Sequence, residues 1–345
     1  MDARPRKRAR ASARLRLADL PTSLARALRR AGRDDFVHGL ADAARCRLVY
    51  PGDALPVPGY ASGQQLLAGR CPAPSVRAFA IHKPRNACTD LTRPFFSAVA
   101  KELRGRLAMG ANQKGCARLH PIGQLDKNTT GLFLFCTNGD AANYLNLPGT
   151  TTKTYVATYI GKNGRSPTPD QLYRLRAGVD VTRPSDGHPT IVRVENCTFL
   201  GVEAVVNAPA AHPRFSYRLQ LTLSSGANHI VKRLLSACGF PPVKHLARIA
   251  ISSLTLEDFG EKLSQPGCTS AVELDASQLL AAGLPTEDNL VALKLCQLLC
   301  RYRSEGESDE RLGEFLANHH TTTGPCFAAF PSLKCRGGVN HDGHL

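Results

Sequence analysis

Three short stretches of the sequence contain side chains that could carry chemistry. Asp126 lies in the first, residues 120–132, which reads HPIGQLDKNTTGL. Tyr155 ends the second, KTY, and Lys232 lies in the third, residues 223–235, which reads LSSGANHIVKRLL. A carboxylate can act as a nucleophile or general base, an aromatic ring can stack on a planar ligand, and a cation can keep a nearby carboxylate ionised.

Each of these residues also has an ordinary structural interpretation. An aspartate close to Asn, Thr and Gly is typical of turns and caps, so Asp126 could be a loop residue. Tyr155 could pack in the core from a strand, and Lys232 could be an exposed lysine on the polar side of a helix. Arg233 is adjacent and would take the place of Lys232 if the register slipped by one residue. The residue types alone therefore leave the function open.

The elements predicted around these residues indicate an α+β protein. Residues 215–223 alternate between apolar and polar types, which is typical of a half-buried strand. A turn follows at Ser224-Ser225-Gly226, and Asn228 can then cap a helix that ends at Gly239. The other predicted strands are 78–82, 132–136 and 155–160, and the other predicted helices are 95–103, 140–147 and 290–299.

The charge of the chain favours a polyanionic partner. It has 345 residues and a formal net charge of +16, from 44 Lys and Arg against 28 Asp and Glu. A basic protein gains affinity for nucleic acid because phosphate neutralisation releases counterions. Basic tails on an unrelated enzyme would give the same excess, so the charge alone does not identify the partner.

The cysteines and the N-terminus bear on the location. The 12 cysteines are scattered and form no CxxC pair, which favours reduced thiols inside the cell over a disulfide framework. Cys296 and Cys300, with His319 and His320, lack the usual zinc spacing, so we expect no metal. No apolar stretch approaches the roughly 20 residues that cross a membrane, and no signal peptide is present. The Arg-rich start, MDARPRKRAR, fits a nuclear signal, a nucleic-acid-binding arm, a mitochondrial or plastid transit peptide, or a disordered tail. The predicted location is therefore the nucleus or an organelle, and otherwise the cytoplasm.

The clarity of the apolar periodicity divides the chain into three predicted segments. Residues 1–76 contain the basic N-terminus and a stretch dense in Pro and Gly, which we interpret as a targeting or RNA-binding extension. Residues 77–275 contain the periodic elements and all three stretches described above. Residues 276–345 form a C-terminal extension, low in pattern from residue 321 onward, whose role the sequence does not indicate.

In order and spacing, the three stretches resemble the catalytic motifs of RsuA-type RNA pseudouridine synthases. The first motif of that family reads G-R-L-D-x-x-T-x-G or close to it. Five residues of this chain match that motif: Gly123, Leu125, Asp126, Thr129 and Gly131. The similarity extends over residues 77–274. Further similar segments are 81–85, 169–179, 248–256 and 273–274.

The resemblance implies a pseudouridine synthase fold, an α+β domain with a mixed, mostly antiparallel sheet and flanking helices. It implies an isomerase that converts uridine to pseudouridine in structured RNA, without a cofactor or metal. The expected substrate is rRNA. Asp126 would be the catalytic carboxylate, Tyr155 would stack on the flipped uracil, and Lys232 would pair with the carboxylate. We expect a monomer that binds RNA and no membrane.

The predicted RNA contacts are basic residues near the three motifs, together with Gln124, which stands where the family has Arg. Phosphates would attract these side chains. The basic residues are Lys83, Arg85, Lys127, Lys153 and Arg233.

Three departures from the family motifs keep an alternative open. Gln124 replaces the Arg before Leu-Asp, Ile230 replaces a Gln, and Ala227 replaces a common basic residue. A catalytically weak or inactive RNA-binding or ribosome-assembly protein on the same fold would tolerate these changes. A general nucleic-acid-binding protein without base chemistry would leave the ordered motifs unexplained.

Overall fold

The computed structural model describes residues 20–24, 27–28, 48–50, 53, 76–109, 119–147, 149–162, 166–182, 190–205, 214–226, 229–285, 287–304 and 309–318. The chain divides into two compact units. The larger unit is Pro74–Pro285, and the smaller combines Met1–Ala73 with Thr286–Leu345. The division into three segments made from the sequence stays a prediction.

The described part of the larger unit contains five α-helices, one 3₁₀ helix and eleven strands. No described helix is long and apolar enough to span a lipid bilayer. In chain order the elements are β1 (Ala78–Lys83), α1 (Pro94–Met109), β2 (His120–Ile122), β3 (Thr129–Cys136), α2 (Gly139–Asn146), β4 (Lys153–Gly161), α3 (Pro169–Ala177), β5 (Val179–Asp180), β6 (Ile191–Val192), β7 (Asn196–Ala204), β8 (Phe215–Leu223), α4 (Ile230–Ala237), β9 (Val243–Ile251), β10 (Leu254–Thr255), a 3₁₀ helix (Glu257–Leu263), β11 (Val272–Glu273) and α5 (Ala276–Ala281).

Nine of these strands form one sheet. The order along it is β11-β1-β3-β9-β4-β8-β7, with β2 paired to β3 and β10 paired to β9. Within the described residues, β3 and β9 run parallel and every other strand pair of this sheet is antiparallel. The predicted fold class, α+β with a mixed, mostly antiparallel sheet and flanking helices, is therefore confirmed.

The parallel pair of strands requires a glycine where the end of the first motif meets β9. Gly131 on β3 lies opposite Arg248 on β9 and has φ +109°. A Cβ atom at Gly131 would lie 2.1 Å from the carbonyl oxygen of Arg248, so only glycine allows the strands to approach this closely. The first-motif loop and β9 are thereby fixed to each other.

Helix α4 presents one apolar face to the core. Ile230, Val231, Leu234 and Leu235 are buried, which leaves Lys232 on the other side. The helix ends at Ala237, and Gly239 is the C′ residue as predicted, with φ +77°. Gly239 N–H donates to the Ser236 carbonyl and Phe240 N–H to the Leu235 carbonyl, both at 3.0 Å, which is a Schellman motif. The predicted cap Asn228 lies outside the described residues, and His229 occupies the N-cap without a capping side-chain bond.

The smaller unit has its own contacts. Strands Thr22–Ser23 and Leu48–Val49 pair antiparallel, and the described helices are Glu287–Ser304 and Glu310–Asn318. Arg311 forms an ion pair with Asp53 at 2.6 Å and lies 4.2 Å from the ring centroid of Tyr50. The predicted helix 290–299 is therefore confirmed within Glu287–Ser304.

Candidate active site

Asp126 lies in the loop between β2 and β3. The loop turns back on itself because Thr129 N–H donates to the Asp126 carbonyl at 3.0 Å. Leu125 is buried in the core and anchors the loop to it. Gln124 and Lys127, which flank Leu125 and Asp126 in the sequence, are exposed. The Asp126 side chain is 18% exposed, so its carboxylate reaches the surface from a mostly enclosed position.

Two residues from the start of α4 hold the Asp126 carboxylate. Lys232 Nζ donates to Asp126 Oδ2 at 2.8 Å, which is the pairing that the resemblance implied. His229 Nδ1 contacts the same oxygen at 2.8 Å. Lys232 is 34% exposed and His229 is 48% exposed, so all three groups line an accessible surface.

These contacts keep Asp126 ionised. Burial opposes ionisation, but the hydrogen bonds from Lys232 and His229 outweigh it, and the pKa of the carboxyl lies below its ordinary value. A carboxylate that is ionised, partly enclosed and held through one oxygen can act as a nucleophile or a base with the other.

Tyr155 lies mostly in the core, with 7% of its surface exposed. It stands opposite Arg248 in the β4–β9 ladder, and its hydroxyl favours the charged form of the Arg248 guanidinium. Its predicted role in stacking on a base stays a prediction.

Arg248 is fully buried. Its Nε donates to the Leu132 carbonyl at 2.9 Å, and its Nη2 has no hydrogen-bond partner among the described residues. Burial lowers the pKa of this guanidinium. Because Arg248 contacts both Tyr155 and the strand after Asp126, it connects the two predicted catalytic residues through the protein interior.

Burial contradicts two of the predicted RNA contacts. Lys83 is fully buried, and its Nζ donates to four backbone carbonyls, those of Pro84, Asp126, Lys127 and Thr129, at 2.7–3.2 Å. The ammonium therefore fastens the Asp126 loop and cannot reach a phosphate. Burial lowers the pKa of Lys83 to about 8.

Lys153 is buried in the same way. Its Nζ donates to Thr151 Oγ1 at 2.7 Å, and burial lowers its pKa to about 8. The prediction that Lys153 binds RNA phosphates is therefore also wrong. A lysine at the start of a strand favours a surface position, but the alternation of β4 turns Lys153, like Tyr155, toward the interior.

Of the other predicted RNA contacts, Arg85, Gln124 and Lys127 are exposed, whereas the Arg233 guanidinium binds a backbone carbonyl. Arg85, Arg93 and Lys127 line a cavity of about 550 Å³ beside the Asp126 loop. Arg85 also approaches His245 Nδ1 at 3.4 Å. Arg233 donates to the Val181 carbonyl, so it does not replace Lys232 at Asp126.

The sequence reasoning missed His229 and Arg248 as site residues. His229 adjoins the predicted helix start, and the pattern there predicted Asn228 as the cap. Arg248 shares the buried face of β9 with Leu246 and Ala250. A charged residue at an apolar position of an alternating strand was the signal that could have identified it.

Residues 77–237 match the family described as RNA pseudouridylate synthase. An uncharacterized RNA pseudouridine synthase of Mycobacterium bovis is 32% identical over 183 residues, which is 51% of this chain and 60% of that protein. The chain thus spans about three fifths of the length of this relative.

Two more distant proteins are also similar. A putative ribosomal large subunit pseudouridine synthase of Arabidopsis thaliana, described as chloroplastic, is 27% identical over 59% of this chain and 45% of its own length. A crystal structure of pseudouridylate synthase shares 20% identity and a TM-score of 0.42 over 60% of this chain and 74% of that chain.

Proposed function

We propose that this chain, whose residues 77–237 belong to the RNA pseudouridylate synthase family, isomerises uridine to pseudouridine in structured RNA. The observation that carries the proposal is the state of Asp126. It lies inside the matched segment, is ionised, and is held through Oδ2 by Lys232 and His229. We assign the other oxygen, Oδ1, to the substrate.

The chemistry fits the groups at this site. Uridine must lose its N1–C1′ bond, rotate, and rejoin through C5, which adds and removes no atoms. An ionised carboxylate can attack the nucleoside or remove a proton from it. The target base must leave its stack to reach Asp126, and in this proposal it stacks on the ring of Tyr155.

The substrate we propose is rRNA. The three cations that line the cavity, Arg85, Arg93 and Lys127, are suited to the phosphates that flank a flipped uridine. The name of the Arabidopsis relative refers to the large ribosomal subunit and supports rRNA over tRNA. Its description as chloroplastic favours an organelle among the locations that the basic N-terminus allows.

The decisive experiment compares Asp126→Asn with the wild type in tritium release from rRNA transcripts that contain [5-³H]uridine. Asn keeps the shape and removes the carboxylate, so we expect release to be lost while RNA affinity stays within a few-fold. Asp170→Asn, an exposed aspartate at the start of α3, is the matched control and should release tritium normally. Unchanged release by Asp126→Asn would remove Asp126 from the mechanism.

The alternative is an RNA-binding protein on the same fold without catalysis. Gln124 supports it, since this exposed residue lies beside Asp126 and lacks the charge of the family's Arg. Ile230 does not, because it is buried in the core, and its difference from the family concerns packing. Ala227 lies outside the described residues. Wild-type protein that binds rRNA and releases no tritium from any cellular RNA would favour this alternative.

A further inference from the structure

His229 has a strained backbone that helix capping does not explain. It occupies the N-cap of α4 with φ 53° and ψ 25°, in the left-handed region that non-glycine residues rarely adopt. Its side chain makes no capping hydrogen bond to the helix. The imidazole instead contacts Asp126 Oδ2 at 2.8 Å. Strain of this kind persists where the surrounding structure holds a residue for function.

The contact with Asp126 determines which ring nitrogen is basic. An ionised carboxylate only accepts hydrogen bonds, so Nδ1 of His229 must carry the hydrogen. In the neutral imidazole the lone pair is then on Nε2. The side chain is 48% exposed, so a substrate held at Asp126 can approach this nitrogen.

We propose that His229 is the general base that removes the C5 proton of the target uracil, a role that rests on the proposed function. Once C5 has bonded to C1′, it still carries its hydrogen, and the aromatic uracil ring forms only when that hydrogen leaves as a proton. Nε2 of His229 accepts the proton, and the C–H electron pair restores the C5=C6 double bond. N1, which lost its bond to C1′, takes up one proton, so no oxidant or other reactant is consumed.

Three other titratable groups near Asp126 are poorly placed to act as this base. Lys232 is the cation paired with Oδ2, and a protonated amine cannot accept a proton. Tyr155 is only 7% exposed and stands opposite the buried Arg248, and Lys83 is fully buried. Asp126 is itself needed at the nucleoside, so a second base with an accessible lone pair fits the remaining step.

The test separates a base from a residue that only positions Asp126. His229→Asn tolerates the left-handed backbone and keeps an N–H donor for Oδ2, but it has no basic nitrogen. His229→Gly keeps the backbone and leaves space for added imidazole. Ser252→Gly is the matched control, because Ser252 has φ +51° outside the described site. Each protein is assayed in single turnovers on an rRNA transcript with hydrogen or deuterium at C5 of uridine, and RNA affinity is measured in parallel.

We expect His229→Asn to lose about 100-fold in rate, the low end of general-base catalysis, while RNA affinity stays within a few-fold. The deuterium isotope effect should be larger than in the wild type, because proton removal has become slower. Added imidazole should restore part of the rate of His229→Gly and should not affect Ser252→Gly. A His229→Asn rate within a few-fold of wild type, an unchanged isotope effect, or no imidazole rescue would overturn the proposal. Wild-type protein that forms no pseudouridine would instead overturn the proposed function, and this inference with it.

Discussion

Lys232 and Asp126, 106 positions apart in the sequence, are joined by a 2.8 Å hydrogen bond between Nζ and Oδ2. The contact fastens the first turn of α4 to the loop between β2 and β3. Lysine supplies a single point of charge, and His229 supplies the second donor to the same oxygen. The carboxylate is therefore ionised and oriented by two separate side chains.

Removal of the Lys232 charge should make turnover more sensitive to acid. In the wild type the pKa of Asp126 lies below its ordinary value, so the carboxylate stays ionised as the pH falls. In Lys232→Met the main opposing influence is burial, which raises the pKa of Asp126. The acid limb of the pH–rate profile should then move to higher pH. The maximal rate should also fall at least about tenfold, which corresponds to about 1.4 kcal/mol of lost transition-state stabilisation.

Lys232→Arg is the matched control for charge. Arg keeps the positive charge and adds a fork that can hold a carboxylate through two bonds, so activity should be preserved or raised. Single-turnover rates measured across the pH range for both variants show whether the charge at position 232 sets the acid limb. An acid limb that is identical in Lys232→Met and the wild type would contradict the role of the ion pair.

In Lys83→Met the Asp126 loop, or the whole larger unit, should unfold more easily than in the wild type. The variant removes the ammonium that four backbone carbonyls share, and the buried Thr129 carbonyl loses this donor at 2.7 Å. The loss of stability should be about 1–3 kcal/mol or more, because an unsatisfied buried acceptor costs about that much. Urea denaturation measures this. Lys127→Met, at an exposed neighbouring position, should change the free energy of unfolding by about 0.5 kcal/mol or less.

Local pattern predicted the elements that carry the site. Strand β8 was predicted with the bounds that the structure has, because alternation over Phe215–Leu223 needs one buried face. Helix α4 followed from its apolar spacing, and its end from Gly239. The resemblance to the family motifs predicted that Lys232 pairs with Asp126, and the structure has this contact.

Contacts between distant parts of the chain could not be predicted in this way. Lys83 looks like a surface residue in its own segment, and its burial depends on carbonyls 43–46 positions further along. His229 owes its role to a left-handed conformation that local propensity disfavours. Arg248 is a charge on the buried face of β9, and Tyr155, which stands opposite it, lies on the neighbouring strand β4.

Tyr155→Phe should separate the stabilising role of the hydroxyl from the role of the ring. The hydroxyl favours the charged form of the buried Arg248 guanidinium, so its loss should lower the free energy of unfolding. The aromatic face remains, and part of the tritium release should survive. Tyr155→Leu should abolish release, because no ring is left to stack on the base. Tyr173→Phe, at a tyrosine that is 69% exposed, is the control and should alter neither thermal unfolding nor release.

Arg85→Gln and Lys127→Gln should each weaken RNA binding in a salt-dependent manner. Each side chain lines the cationic cavity, so each should contribute about one phosphate contact. The slope of log affinity against log salt concentration should become shallower by about one for each variant. Filter binding over a salt series measures the slope. Arg104→Gln, at an exposed position of α1 outside the cavity, should leave it unchanged.

Gln124→Arg tests whether the departure at this position limits the enzyme. Gln124 is exposed and directly precedes the buried Leu125, which fixes the orientation of the Asp126 loop. A guanidinium here would lie beside the carboxylate, where a phosphate or a displaced base of the substrate is expected. We expect tighter RNA binding, because an added cation near the backbone strengthens affinity, and a faster single-turnover rate, because the flipped conformation is better held.

Asn128→Arg adds the same charge at another exposed position of the loop and is the matched control for general electrostatics. Both variants should bind RNA more tightly at low salt, but only Gln124→Arg should raise the rate of tritium release at saturating protein. Equal rates in the two variants would show that charge alone is responsible and that position 124 has no specific part in catalysis. If the wild type and Gln124→Arg both release no tritium on any cellular RNA, while both bind it, the non-catalytic alternative accounts for the protein better.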